Sequence, residues 1–150
     1  ELSQLYLVFL HFQLEFPDHN FPLAHMQSEL LTAFKRQEPR PSKLQHEVAL
    51  ALTRIGWDHI FEFVTEEGLS IDMAKPKNMI AIEVDGPYHY IKCTDKYIEN
   101  GRTQFKSRVL RQLGWLIIHI PYFEWDALAD AEAQDAYLRE KLSCTFSSSL

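Results

Sequence analysis

An α/β fold of order αβββαβα, set behind a pair of helices, is what this sequence predicts, and three observations carry the prediction. Between Ile60 and Val84 three short apolar segments are separated by turn-forming residues, which is the pattern of successive strands. Ser42, Gln45 and Gly56 punctuate a helical repeat just before them, as a cap and a stop would. A second helical stretch stopped by Gly114 feeds the continuous apolar run Trp115 to Ile120, the signature of a strand buried on both faces.

Taken in order, Leu2, Leu5, Phe9, Phe12 and Phe16 recur at helical spacing before Pro17-Asp18-His19-Asn20-Phe21-Pro22 breaks the pattern. A second helix follows through Met26, Leu30, Leu31 and Phe34. Residues 1–40 therefore read as a helical pair, too small to fold alone and resembling the end of a helical-repeat array. The helix opens directly at Glu1 and Leu2, so we expect the chain to begin inside a longer protein, beyond sight of any targeting peptide.

Glu38-Pro39-Arg40-Pro41 is a linker. Ser42 and Gln45 then form a capping-box pattern opening a helix with Leu44, Val48, Ala51, Leu52 and Ile55, ended by Gly56. Strands are expected near Ile60 to Val64, Leu69 to Met73 and Met79 to Val84. A polar loop leads to a helix from about Thr103 to Leu113, then to the buried strand ended by Pro121. The last helix, roughly Asp126 to Leu142, carries Leu128, Ala131, Leu138 and Leu142 on one stripe, and residues 143–150 read as a flexible tail.

Composition narrows the class of partner. The chain has 150 residues, 46% of them hydrophobic, enough to bury a sizeable core. No stretch approaches the roughly 20 apolar residues of a membrane span, so no membrane association is expected. Cys93 and Cys144 are too few for a disulfide framework and lack paired metal-ligand spacing. The net charge of -6 argues against indiscriminate nucleic-acid binding by the whole surface, yet charge is unevenly placed. From Lys92 to Arg111, six basic residues (Lys92, Lys96, Arg102, Lys106, Arg108 and Arg111) stand against two acidic ones, a local +4; from Glu124 to Leu142, six acidic stand against two basic, a local -4.

Chemistry concentrates in Ile80-Ala81-Ile82-Glu83-Val84-Asp85-Gly86-Pro87-Tyr88-His89. Strand alternation projects Glu83 and Asp85 from one face and packs Ile80, Ile82 and Val84 on the other. Two carboxylates in one small volume repel unless a cation, a basic group or a proton lies between them. The element order puts Asp72 on the neighbouring strand, Glu47 beside the apolar stripe of the preceding helix, leaning toward the sheet, and His89 close enough to complete a cluster. Oxygen ligands such as Asp72, Glu83 and Asp85 suit Mg²⁺ or Mn²⁺, which activate water and stabilise charge on a phosphate. Asp85-Gly86-Pro87 is equally a good turn, with Asp bonding nearby backbone and Gly permitting an unusual φ. His119, alternating within a buried strand, reads as a satisfied core histidine.

These residues resemble a known family. The stretch Ser42 to Leu142 is similar to the RAP domain, named for RNA-binding proteins abundant in apicomplexans. The pattern stands here as Ser42-x-x-Gln45-x-x-Val48, Ile71-Asp72, Ile80 to Pro87 with His89, Asn100-Gly101-x-Thr103-x-x-Lys106, Leu110-x-x-x-Gly114-Trp115 and Ile120-Pro121-Tyr122-x-x-Trp125. The resemblance implies a restriction-endonuclease-like αβββαβα core with a mixed sheet over residues 42–142. It implies membership of the PD-(D/E)XK nuclease superfamily near very-short-patch-repair-like endonucleases, and a place behind helical repeats in mitochondrial, or alternatively plastid, proteins acting on RNA. Asp72 would match the superfamily's Asp, Glu83 its second acid and Glu47 the acid of the first helix. The superfamily's lysine is replaced by Asp85, and Lys106 on the next helix could substitute.

Three functions follow as expectations. The first is an RNA-binding module of an organellar RNA-processing, RNA-stability or ribosome-assembly factor, with the Lys92 to Arg111 segment on phosphates of rRNA or mRNA and Tyr88, Tyr90, Tyr97 or Phe105 offering stacking surfaces. The second is a divalent-metal-dependent endoribonuclease, with Asp72, Glu83 and Asp85 as ligands and Lys106 or His89 moving protons or stabilising charge. The third is a scaffold held by ribosomal or RNA-processing proteins through the acidic last helix and the helical pair.

Overall fold

A computed structural model describes residues 2–36 and 40–147, with side chains through residue 144. Its strands and helices follow the expected order with two additions, a hairpin and a one-turn helix. They are α1 (Leu2–Glu15), α2 (Gln27–Lys35), α3 (Lys43–Arg54), β1 (Ile60–Val64), β2 (Ser70–Lys75), β3 (Ile80–Asp85), β4 (Tyr90–Cys93), β5 (Lys96–Glu99), α4 (Gly101–Gln112), β6 (Leu116–Pro121), α5 (Tyr122–Trp125) and α6 (Ala131–Ser147). The chain divides into two compact units, residues 1–40 with 64–70 and residues 41–63 with 71–150.

In the first unit α1 and α2 pack side by side. The buried face of α1 is Tyr6, Phe9 and Leu10, whereas Leu2, Leu5 and Phe16 of the expected stripe stay exposed. The displacement has a packing cause: the Tyr6 ring packs tilted against Phe34, 5.0 Å between centroids, and its hydroxyl donates to the Glu67 carbonyl at 2.7 Å. Phe9 meets Phe21 at 5.5 Å.

In the second unit Ser42 caps α3 reciprocally: its hydroxyl accepts from the Gln45 N–H at 3.1 Å and the Gln45 side chain accepts from the Ser42 N–H. Gly56 and Gly114 close α3 and α4 at φ 77 and 91, the left-handed conformation that glycine enters without a Cβ clash. The four-stranded sheet runs β1-β2-β3-β6, with β2 antiparallel and β6 parallel to β3, so it is mixed. Met73, Ile80, Ile82, Val84, Ile118 and Ile120 form one core with Val48, Ala51 and Leu52 of α3 and Leu138 and Leu142 of α6. Each such side chain, once buried, contributes about 1.5–3 kcal/mol of transfer free energy. The polar opposite face of β3 is met by α4.

Three boundaries differ from expectation. The stretch read as a polar loop after His89 folds into the two-stranded hairpin β4–β5, registered Tyr90↔Glu99 to Cys93↔Lys96. Its strands are four residues long and carry Lys92 and Lys96, too short and too charged for an alternation to stand out. Helix α4 begins at Gly101 because Asn100 caps it, accepting from the Thr103 N–H at 2.9 Å. The last helix starts at Ala131 after the separate turn α5, with Asp130 accepting from the Ala133 N–H at 2.9 Å, and it continues to Ser147 through part of the stretch expected as a tail; residues 148–150 lie outside the described residues. No helix among the described residues is long and apolar enough to cross a membrane.

Candidate functional site

The face of β3 opposite the apolar core holds two adjoining polar clusters, each built on one carboxylate. Glu83 is buried at 4% exposure, and Lys106, reaching down from α4, places Nζ 2.6 Å from Glu83 Oε2. Burial pushes the Glu83 carboxyl up to about 7 against the pull of Lys106, with the Asp72 charge adding to the rise. Burial alone would lower the Lys106 ammonium, but Glu83 and Asp72 overcome it and hold the ammonium above its ordinary value. Glu83 Oε1 is buried with no hydrogen-bond partner among the described residues.

Asp72 stands beside this pair. Its Oδ2 accepts the Val84 N–H at 2.7 Å, and burial raises its carboxyl above the usual aspartate range despite Lys106 and that hydrogen bond. A further acid joins from β1. Glu62 adopts a left-handed backbone, φ 53, which costs a non-glycine residue about 1–2 kcal/mol. Its carboxylate lies 3.5 Å from Gln45 Nε2, and burial followed by the Asp72 charge raises its pKa.

Asp85 centres the second cluster. Its Oδ2 lies 2.6 Å from His119 Nδ1 and 3.4 Å from the Tyr90 hydroxyl, which donates to it, and its Oδ1 lies 3.1 Å from His89 Nδ1. Burial opposes ionisation, yet the His119 and His89 hydrogen bonds hold the Asp85 carboxyl below its ordinary value. The same interaction holds His119 above the usual imidazole range against its own burial. His119 Nε2 lies 3.0 Å from Ser107 Oγ, and His89 Nδ1 is 3.1 Å from Thr103 Oγ1, so both rings are tied to α4.

Several expectations meet corrections here. Glu47 does not lean toward the sheet: it is exposed and pairs with Lys43 at 3.3 Å, because the residue of α3 facing the acids is Gln45. Asp72, Glu83 and Asp85 do share one face, but their repulsion is relieved by Lys106 and by two histidines, and they do not close as one ligand set. Among the described residues the group whose ligand atoms all lie within 4.8 Å is Asp85, Glu99 and His119. Gly86 sits at φ -70 and ψ 177, extended backbone, so the turn reading of Asp85-Gly86-Pro87 does not need glycine's freedom. His119 is satisfied as expected, but by a site carboxylate rather than by the core. Sequence reasoning missed Glu62, Glu99 and Ser107 as neighbours; the alternation that flagged Glu83 also marks His119, since the two are register partners across β3 and β6.

Of the basic residues, Lys92, Lys96, Arg102, Arg108 and Arg111 are exposed, whereas Lys106 is committed to Glu83. On α4, Arg102 lies about half a turn around the helix from Arg111, so the cations surround the helix instead of forming one stripe. The four aromatic candidates separate clearly. Tyr90 and Tyr97 pack with Tyr122 and Phe123, Tyr97 stacking on Phe123 at 4.3 Å. Phe105 is half-buried under Arg108, 5.6 Å from its ring. Tyr88 is 94% exposed, on a turn whose carbonyl accepts from Asn100 Nδ2 at 2.6 Å.

The model of the RAP domain matches residues 82–141, which takes in β3 from Ile82 onward, both histidines, the hairpin, α4 and β6. A chloroplastic RAP domain-containing protein of Oryza sativa subsp. japonica is 30% identical over 145 residues, covering 94% of this chain. The chain spans 22% of that relative's length.

Proposed function

The chain carries a RAP domain, and from that premise we propose that it is an RNA-binding module of an organellar factor for RNA processing, RNA stability or ribosome assembly. The relative's chloroplastic name favours the plastid over the mitochondrion. One observation carries the reading: Tyr88 presents a 94% exposed ring beside a hairpin and a helix that display Lys92, Lys96 and Arg102. An uncovered aromatic ring costs hydration free energy and returns none in the free protein, whereas a base stacked on it contributes about 1–3 kcal/mol, and neighbouring cations neutralise phosphates. Fluorescence anisotropy with single-stranded RNA tests this directly. Tyr88→Ala should weaken binding about 5- to 100-fold, and Arg102→Glu or Lys96→Glu should flatten the salt dependence by roughly 0.7 of a log–log unit for each phosphate no longer neutralised. Wild-type affinity retained in all three variants would remove the assignment.

The endoribonuclease reading has its own supporting observation: Glu83 Oε1, buried near Asp72, has no hydrogen-bond partner among the described residues. Glu83 and Asp72 would hold a divalent ion there, and the ion would supply an activated water near the scissile phosphate. Lys106, freed from Glu83 by that ion, would stabilise phosphate charge. Incubation with RNA and Mn²⁺ decides between the two: cleavage abolished in both Asp72→Asn and Glu83→Gln makes the domain a nuclease, and salt-dependent binding without cleavage leaves it a binding module.

A further inference from the structure

The Asp85 cluster offers something the Glu83 cluster does not, a mixed nitrogen and oxygen donor set already drawn together. Asp85 ends β3, Glu99 ends β5 and His119 lies within β6, so three separate elements deliver one carboxylate, one carboxylate and one imidazole. Their ligand atoms lie within 4.8 Å of one another. Metal–ligand bonds near 2.0–2.2 Å place neighbouring donors about 3–4.4 Å apart, so small side-chain adjustments close such a shell. We propose that Asp85, Glu99 and His119 bind a divalent transition-metal ion, Zn²⁺ foremost, at a site separate from Asp72 and Glu83.

Orientation from outside the ligand set supports this. A metal-bound histidine ordinarily donates its second ring N–H to a fixed acceptor, which sets its tautomer. Here His119 Nε2 faces Ser107 Oγ at 3.0 Å, and Ser107 is itself buried on α4, which turns Nδ1 toward the two carboxylates. Asp85 is held in the same manner: His89 engages Oδ1, and Oδ2 faces His119 and accepts from the Tyr90 hydroxyl at 3.4 Å. Glu99 is half-buried, and its carboxylate takes no hydrogen bond or ion pair among the described residues, although it sits beside a second carboxylate.

A dication would balance both carboxylates of the set: a neutral imidazole, two carboxylates and a dication sum to zero. Imidazole with carboxylates favours Zn²⁺, Co²⁺ or Mn²⁺ over Mg²⁺, which takes oxygen donors and retains its waters. On binding, the Nδ1 proton now shared with Asp85 is released to solvent and the metal takes its place, while Nε2 keeps its proton and donates it to Ser107 Oγ.

Isothermal titration of the whole chain with Zn²⁺ tests the site, run in two buffers of different ionisation enthalpy and followed by the visible spectrum of the Co²⁺ form. The expected result is one ion per chain with proton release. Ser107→Ala should weaken binding about 10- to 100-fold, as loss of an orienting partner does, and Glu99→Gln should weaken it further. His25→Gln, remote in the sequence from the ligands, controls for adventitious binding and should leave the affinity unchanged. Glu99→Gln removes a partly exposed side chain and preserves the Asp85–His119 pair, so its result stands even where His119→Gln fails to fold. Absence of stoichiometric Zn²⁺ binding, or affinity unchanged in Glu99→Gln, overturns the proposal, and neither outcome touches the RNA-binding assignment, which rests on Tyr88 and the exposed cations.

Discussion

Glu83 and Asp85 are two residues apart on one strand and titrate in opposite directions, because one was given a single ammonium in a dry environment and the other two imidazoles. The stability consequences differ in sign. Glu83 has a folded pKa raised to about 7, so its contribution to stability is full below the ordinary carboxylate value and is lost as pH rises through about 7. Glu83→Gln removes that dependence; denaturant unfolding should show the variant gaining on the parent by up to about 3 kcal/mol between about pH 4 and pH 8. Asp85 is lowered, so its contribution is present above the unfolded aspartate value and fades as pH falls through the folded one. His119 is raised, so its contribution is present below the unfolded imidazole value and fades as pH climbs past the folded one. His119→Asn should therefore cost most between those two limits, about 3 kcal/mol for a buried pair broken on one side, and least at the acid and alkaline extremes of the unfolding series.

At the scale of elements, the features most legible in the sequence were those fixed by local chemistry. The Ser42–Gln45 box and the glycine stops at Gly56 and Gly114 stand where the sequence puts them, since each depends on residues within one turn. Ser42→Ala should lower stability by about 1 kcal/mol, read from the thermal midpoint, through loss of the acceptor for the Gln45 N–H. What local chemistry could not reveal depended on partners far along the chain. The β4–β5 hairpin is marginal by itself and is secured by Tyr90 and Tyr97 packing on Tyr122 and Phe123 of α5, more than twenty positions later. Glu47 was misplaced for a related reason: two neighbouring helical positions flank the same apolar stripe, and only the packed sheet selects Gln45.

For the whole molecule, the two differently clad faces of the sheet follow from the alternation of β3, where Ile80, Ile82 and Val84 enter the core while Glu83 meets Lys106 of α4 and Asp85 meets His119. That division was readable from one strand. The convergence of Glu99, Ser107 and His119 on Asp85 was not, because it needs the strand order β3 beside β6, and strand order leaves no mark in a single sequence. The overall charge of -6 likewise conceals the exposed cations Lys92, Lys96 and Arg102.

The parallel pairing of β3 with β6 also has a kinetic meaning. Glu83 meets His119 only after the chain has closed a loop containing the hairpin and all of α4, and such non-local parallel pairings are the slow ones to form. In the folded chain Lys106 and His119, the partners of Glu83 and Asp85, stand on α4 and β6, the two elements that the closed loop brings onto this face. Burial and charge compensation of those acids therefore come from the same two elements.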